Sequence, residues 1–145
     1  MEAPVYWGVA GQPISHSVTP KLFSIVGDAM GLVQAEQIFV AASGEEEFYS
    51  KVGKLDGDLW LSCTAPLKHS LHSRLGVQGP VGVNAINQLM RSNGVWKGAS
   101  TDGAGFVSAC RHIGVEPSGS ILRMRGGGST ARSIAACLLY TSPSP

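Results

Sequence analysis

The sequence predicts an α/β fold: a mainly parallel sheet with helices on both faces, followed by the truncated start of a second α/β unit. Three observations carry this. Short apolar runs alternate with amphipathic stretches of helical period, and parallel neighbours need such crossover connections. A glycine cluster near the end stands between a strand-like and a helix-like segment, the setting of a phosphate-binding turn. Glycine supplies 19 of the 145 residues, against a usual share of about 7%, and surplus glycine marks close approach of backbone to backbone or ligand.

Residues 5–9 read as a buried strand that runs into the turn formers Gly11-Gln12-Pro13-Ile14-Ser15-His16-Ser17. Thr19 is expected to cap a helix with Pro20 at its first position. Leu22, Phe23, Ile25, Val26 and Met30 hold helical spacing, and Gly31 closes the helix. Residues 37–41 form the second strand. Ser43 with Glu46 then makes a capping box, and Glu45, Glu46 and Glu47 load the first turn of a helix ended by Gly53. Residues 58–63 are the third strand and 69–75 a short helix. Segments 85–91 and 95–100 flank Ser92-Asn93-Gly94, a hairpin signal that makes one edge antiparallel. Asp102 is placed as the cap of a helix with Phe106, Val107, Cys110 and Ile113 on one side and Gly114 as its stop. A strand over 120–125 then leads through Gly126-Gly127-Gly128 into a helix from about Thr130.

Hydrophobic residues make up 43% and charged residues 14% of the chain, with a net charge of +1, so a buried interior is expected and disorder is not. No basic stripe appears, which argues against a nucleic-acid partner. The start Met1-Glu2-Ala3-Pro4 lacks the features of a signal peptide, and the apolar run 134–140 falls short of the roughly 20 residues that span a bilayer. No membrane partner and a cytoplasmic location are expected. Cys63, Cys110 and Cys137 form no C-x-x-C pair and read as small buried hydrophobes. His69 and His72 lie three apart without a third ligand, so no metal is assigned.

Gly126, Gly128 and Ala131 fit G-x-G-x-x-A. The first glycine turns the chain, the second lets N–H groups reach a pyrophosphate, and the small third residue lets helix pack on strand. Gly126, Gly127, Gly128, Ser129, Thr130 and Ala131 are therefore the cofactor-binding candidates of a Rossmann-type nucleotide domain. A three-glycine structural turn is the alternative, and Arg123 and Arg125 are poor residues for a strand covered on both faces. The residue that reads the ribose lies about 20 positions beyond the glycines, and only 17 residues follow Gly128. The expected division is a substrate-binding catalytic domain over 1–102, an incomplete nucleotide domain over 103–137 and a non-native or disordered tail over 138–145.

Ser17 and Thr19 offer two hydroxyls beside a helix N-terminus, a place suited to a carboxylate, with helix capping as the alternative role. Thr64 to Lys68 follow the carboxyl end of a strand, the side on which open α/β sheets bind ligands. Asn87 stands in a strand-like run and needs a polar partner.

In this order the segments resemble the shikimate dehydrogenase family, including its quinate-accepting members, from about Tyr6 to Leu138. Residues 11–20 are similar to G-x-P-I-x-H-S-x-S-P, and Ser62-Cys63-Thr64-Ala65-Pro66-Leu67-Lys68 to N-V-T-x-P-x-K. Ala85-Ile86-Asn87-Gln88 is similar to A-V-N-T, Ser100-Thr101-Asp102-Gly103 to N-T-D-G, and residues 126–132 to the glycine-rich nucleotide loop. Ser62 and Ser100 stand where asparagine is usual and Thr19 where serine is usual. The resemblance implies NADPH-dependent reduction of 3-dehydroshikimate to shikimate in chorismate biosynthesis. It makes Lys68 and Asp102 catalytic, and Ser17, Thr19, Thr64, Asn87 and Asp102 contacts of a small-molecule substrate. NADP is the implied cofactor, and the chain alone is expected to be inactive.

Elementary chemistry agrees with this assignment. Hydride delivery to a ketone builds alkoxide charge, which Lys68, oriented by Asp102, would meet either as proton donor or as a fixed charge. A non-catalytic shikimate-binding module is the alternative.

Overall fold

The apolar run near the start of the chain becomes an interior strand of the sheet. β1 (Tyr6–Gly11) pairs in parallel with β2 (Glu36–Ala41) on one side and β3 (Leu59–Cys63) on the other. β4 (Gln88–Ser92) and β5 (Val95–Ala99) extend the sheet antiparallel beyond β3, giving the order β2-β1-β3-β4-β5. The sheet is therefore mixed, with β4 alone running against the direction of the other strands. This computed structural model describes residues 3–32, 34–75 and 83–141.

The helices are α1 (Thr19–Met30), α2 (Glu45–Val52), α3 (Leu67–Arg74), α4 (Asp102–His112) and α5 (Ser129–Thr141). Because β2 and β3 lie on opposite sides of β1, right-handed crossovers place α1 and α2 on opposite faces of the sheet. Side-chain alternation along β1 shows the result. Trp7 points to the α1 face and stacks on Phe23, with ring centroids 5.6 Å apart, in space that Gly27 leaves open. Ala10 points to the other face, into a core built from Val40, Phe48, Val52, Leu59, Leu61, Leu71, Ile86 and Leu89. Burying one such side chain contributes about 1.5–3 kcal/mol, so this face carries most of the apolar stabilisation. Arg91 ties the turn between α2 and β3 to β4 by donating to the carbonyls of Val52 and Gly57.

The hairpin expected at Asn93-Gly94 is present, with φ of 50° and 76° at the two residues, the left-handed pair that matches strand twist. Gly31 closes α1 at φ 71°.

Other local expectations are corrected. The cap of α1 is Val18, and Thr19 is the first helical residue, its N–H donating to Ser17 Oγ at 3.2 Å. Leu22, Ile25, Val26 and Met30 are more than half exposed, since a single helix over β1 can bury only the Phe23 side of its apolar surface. The partner of Ser43 is Glu47, not Glu46, and Gly44 occupies the cap position. Hydrogen bonds from Lys51 and then Ser43 hold the Glu47 carboxyl down at about 2.

α3 starts at Leu67, which puts Lys68 in its first turn, and β4 starts at Gln88, so Asn87 stands just before it, its carbonyl accepting from Cys63 N–H at 2.7 Å and its N–H donating to the Ala99 carbonyl at 3.0 Å. Thr101, not Asp102, caps α4, and Ile113 lies beyond the helix, 74% exposed. No strand forms over 120–125, where Ile121 is 98% exposed. A strand without partners is not stable, and among the described residues no strand of the sheet β2-β1-β3-β4-β5 pairs with this segment. α5 continues to Thr141, so residues 138–141 are helical; the rest of the expected tail lies outside the described residues.

α4 and α5 pack through Gly103. A Cβ there would stand 2.3 Å from the Ser133 carbonyl oxygen and 2.8 Å from Cys137 Cβ, whereas one on Gly105 would meet nothing within 4 Å. Chemical denaturation should therefore show the two alanine substitutions acting with opposite sign. Gly103→Ala is expected to cost about 1–3 kcal/mol by forced separation, and Gly105→Ala to gain up to about 1 kcal/mol of helix stability. Equal effects from the two would refute this packing.

Candidate active site

The carboxyl ends of β1, β3 and β5 and the amino end of β4 lie along one edge of the sheet. Four polar segments therefore meet there: the loop after β1, the turn after β3, the approach to β4 and the start of α4. Backbone hydrogen bonds lock them together. Gln12 N–H donates to the Ala65 carbonyl at 2.9 Å, and Ile86 N–H to the Lys68 carbonyl at 2.9 Å. Gly11 makes the approach of the first two possible. Its φ is +139°, and a Cβ would lie 2.4 Å from Thr64 Cγ2.

The chemistry gathers on Asp102. Its Oδ2 accepts from Lys68 Nζ at 2.6 Å and from Thr130 Oγ1 at 2.8 Å, and its Oδ1 accepts from Asn87 Nδ2 at 2.7 Å. The Lys68 and Asp102 side chains are each 18% exposed, so the pair is only partly screened by solvent. Asn87 is buried and uses both ends of its amide: Nδ2 also donates to Thr101 Oγ1 at 2.9 Å, and Oδ1 accepts from Thr101 N–H at 2.7 Å. The polar partner expected for Asn87 is thus the start of α4, which fixes Asp102 in turn.

A cavity of about 270 Å³ is lined by Ser17, Thr19, Thr64, Lys68, Asn87 and Asp102 together with His16 and Ser62. The five residues expected to contact substrate share its wall with Lys68, expected to be catalytic. Because Ser17 Oγ accepts from Thr19 N–H, the Ser17 hydroxyl proton remains to be donated. A second cavity of about 450 Å³ is lined by Gly126, Gly128, Ser129, Thr130 and Ala131, with His69 and Arg125. Gly127 belongs to the same turn but not to that lining. Thr64 and Lys68 line both cavities. His69 bonds Ser129 Oγ through Nε2 at 2.6 Å; the side chain of His72 lies outside the described residues.

Sequence reasoning did not single out His16, Ser62 or Thr101 as site residues. The available signal was position, since each stands within two residues of a chosen candidate at the same sheet edge.

No protein-family model matches the chain. Among curated proteins, the shikimate dehydrogenase (NADP(+)) of Xanthomonas campestris pv. campestris is 33% identical over 144 residues, an alignment that covers 92% of this chain and 48% of that protein. The shikimate dehydrogenase (NADP(+)) of Rubrobacter xylanophilus is 33% identical over 139 residues, with 91% and 48% covered. These curated relatives are shikimate dehydrogenases. The chain spans about half the length of each.

Solved structures share the fold. The shikimate 5-dehydrogenase of Listeria monocytogenes in complex with shikimate and NAD matches with a TM-score of 0.74 at 24% identity, covering 95% of this chain and 49% of that one. The Thermus thermophilus shikimate 5-dehydrogenase in complex with NADP(H) and shikimate gives 0.74 at 23%, covering 94% and 52%. The 5-ketofructose reductase of a Gluconobacter strain gives 0.76 at 22%, covering 98% and 51%.

Cys63 ends β3 against this site, and burial pushes its thiol up to about 12, with the Lys68 charge pulling weakly the other way. The thiolate is the reactive form. Iodoacetamide at pH 8 should therefore leave Cys63 unmodified in the folded chain and alkylate it once denaturant is added. Modification of Cys63 in the native protein at the rate of an exposed thiol would contradict its burial.

Proposed function

We propose that this chain is the substrate-binding part, with the first turn of the nucleotide-binding part, of an NADP-dependent shikimate dehydrogenase. This oxidoreductase would reduce 3-dehydroshikimate to shikimate in chorismate and aromatic amino acid biosynthesis. One observation carries the reading: Lys68, paired with Asp102, lines both the polar cavity and the cavity under the glycine turn. A reacting carbonyl in the first cavity would then have a cation at its oxygen and the cofactor turn on its other side.

The glycine turn suits a dinucleotide. Gly126 stands at φ +104°, and the space over Gly127 and Gly128 is open, with nothing within 4 Å of a Cβ at either, so backbone N–H groups at the start of α5 can approach a phosphate. Gly126, Gly127, Gly128, Ser129, Thr130 and Ala131 would hold NADP. When bound in reduced form it supplies the hydride. Lys68 stabilises the negative charge that develops on the carbonyl oxygen, a contribution worth about 10²–10³ in rate when one such group is lost. Asp102 and Asn87 keep the ammonium in place, and Thr64 contacts a substrate hydroxyl. Ser17 and Thr19, at the N-terminus of α1, hold the substrate carboxylate, where hydroxyl donors and the helix dipole act together. A cytoplasmic setting belongs to the same proposal; no helix among the described residues is long and apolar enough to cross a membrane.

The test is calorimetric titration of the chain with shikimate and with its methyl ester, which lacks the charged carboxylate. The parent is expected to bind shikimate. Ser17→Ala should weaken it about ten- to a hundredfold, the worth of one hydrogen bond to a charged group, while leaving the ester unaffected. Equal weakening of acid and ester would show that this loop does not read the carboxylate.

A further inference from the structure

Sequence alone places Thr130 in the phosphate turn, yet its hydroxyl is engaged elsewhere. It donates to Asp102 Oδ2 at 2.8 Å and accepts from Lys68 Nζ at 3.3 Å, while Lys68 Nζ donates to the same Oδ2 at 2.6 Å. We propose that Thr130 is a positioning residue for Lys68: its hydroxyl closes a hydrogen-bonded ring with the ammonium and the carboxylate, so the turn meant for the dinucleotide also aims the lysine.

Donor accounting determines every bond in the ring. An ammonium only donates, a carboxylate only accepts, and a hydroxyl has one proton to give. The Thr130 proton must therefore go to Asp102, and its lone pair receives Lys68. Two of the three Lys68 N–H bonds are then committed, and the third is left for an oxygen in the adjoining cavity. Asp102 cannot rotate to follow the lysine, because Asn87 Nδ2 holds its Oδ1 at 2.7 Å.

The neighbouring residue adds a second mooring. Arg132 Nη2 lies 2.8 Å from His69 Nδ1 and Ser129 Oγ lies 2.6 Å from His69 Nε2. Arginine only donates, so the His69 ring accepts from Arg132 Nη2, which lies 3.2 Å from Nε2 as well, and the Ser129 hydroxyl can give or take the hydrogen it shares with Nε2. Ser129 and Thr130, consecutive at the start of α5, thus bind α3 and α4 at two points. The catalytic meaning of the ring rests on the function proposed above; the ring itself does not.

The experiment is competitive acetylation of the ligand-free chain with trace acetic anhydride, read by mass spectrometry at Lys68. Lys97 on β5 serves as the reference. Lys51, paired with Glu47 at 2.7 Å, reports on the fold. Thr130→Val, which keeps the side-chain shape, and Thr130→Ala should each raise Lys68 labelling relative to Lys97 about two- to tenfold, the equilibrium worth of one hydrogen bond. Thr130→Ser should restore the parent value, with Lys51 unchanged throughout. Unchanged Lys68 labelling in the valine variant, a serine variant that behaves like alanine, or a parallel rise at Lys51 would each overturn the proposal. The readout needs no ligand, so a parent chain that fails to bind shikimate would refute the functional reading while the labelling still decides Thr130.

Discussion

The Asp102 carboxylate accepts hydrogen bonds from three directions: Lys68 in α3, Thr130 in α5 and Asn87 ahead of β4. The side chain is mostly withdrawn from water, so its charge must be met by such donors or the fold would carry the cost of an unpaired, partly buried ion. Each hydrogen bond to a charged group contributes about 1.5–3 kcal/mol. Satisfying Asp102 therefore draws four separate segments to one point, and the two cavities take their shape from where those segments stop.

The location of this cluster follows from the sheet. Apolar residues at alternate positions of β1, β3 and β4 bury one face against α2 and α3, and the ladder satisfies the backbone between them. Past the strand ends the ladder stops, and loops must find other partners. Those partners are the neighbouring segments: Gln12 N–H donates to the Ala65 carbonyl, Thr64 N–H to Ala10 of β1 and Ile86 N–H to Lys68 of α3. Close approach at this edge needs residues without side chains. Gly11 lets the β1 loop meet the turn after β3, and Gly103 lets α4 meet α5 beside Ser133, whose Oγ accepts from the Gly103 N–H at 3.0 Å. Core and site are thus two consequences of the same sheet, one along its face and one along its edge.

Much of this was legible in the chain order. Alternating runs announce a β-α-β succession, Asn93-Gly94 announces the hairpin, and six polar residues scattered from 17 to 102, all site candidates by sequence, line one cavity. The misreadings share a physical cause. Residue type suggests a cap, but its place is set by where the backbone leaves the helical region: Val18 and Thr101 cap where type points to Thr19 and Asp102. Asp102 was displaced from a local role because Lys68, Asn87 and Thr130 offer its carboxylate more than a helix N-terminus does. The strand over 120–125 failed for the opposite reason, having helical and strand-like neighbours in sequence but no ladder partner in space.

The sequence by itself determined the periodicities, the turn chemistry at Gly31 and Asn93-Gly94, and the polar residue types that follow the strands, because each depends on residue type and local spacing. Only the tertiary structure decided that Lys68 and Thr64 face two cavities at once, that Arg91 binds the carbonyls of Val52 and Gly57, and that Thr130 turns from the glycine turn to Asp102. Those facts join residues 28 to 62 positions apart, or 34 to 39 in the case of Arg91, and pairings at such separations are set by how the sheet and helices pack rather than by any local propensity of the residues involved.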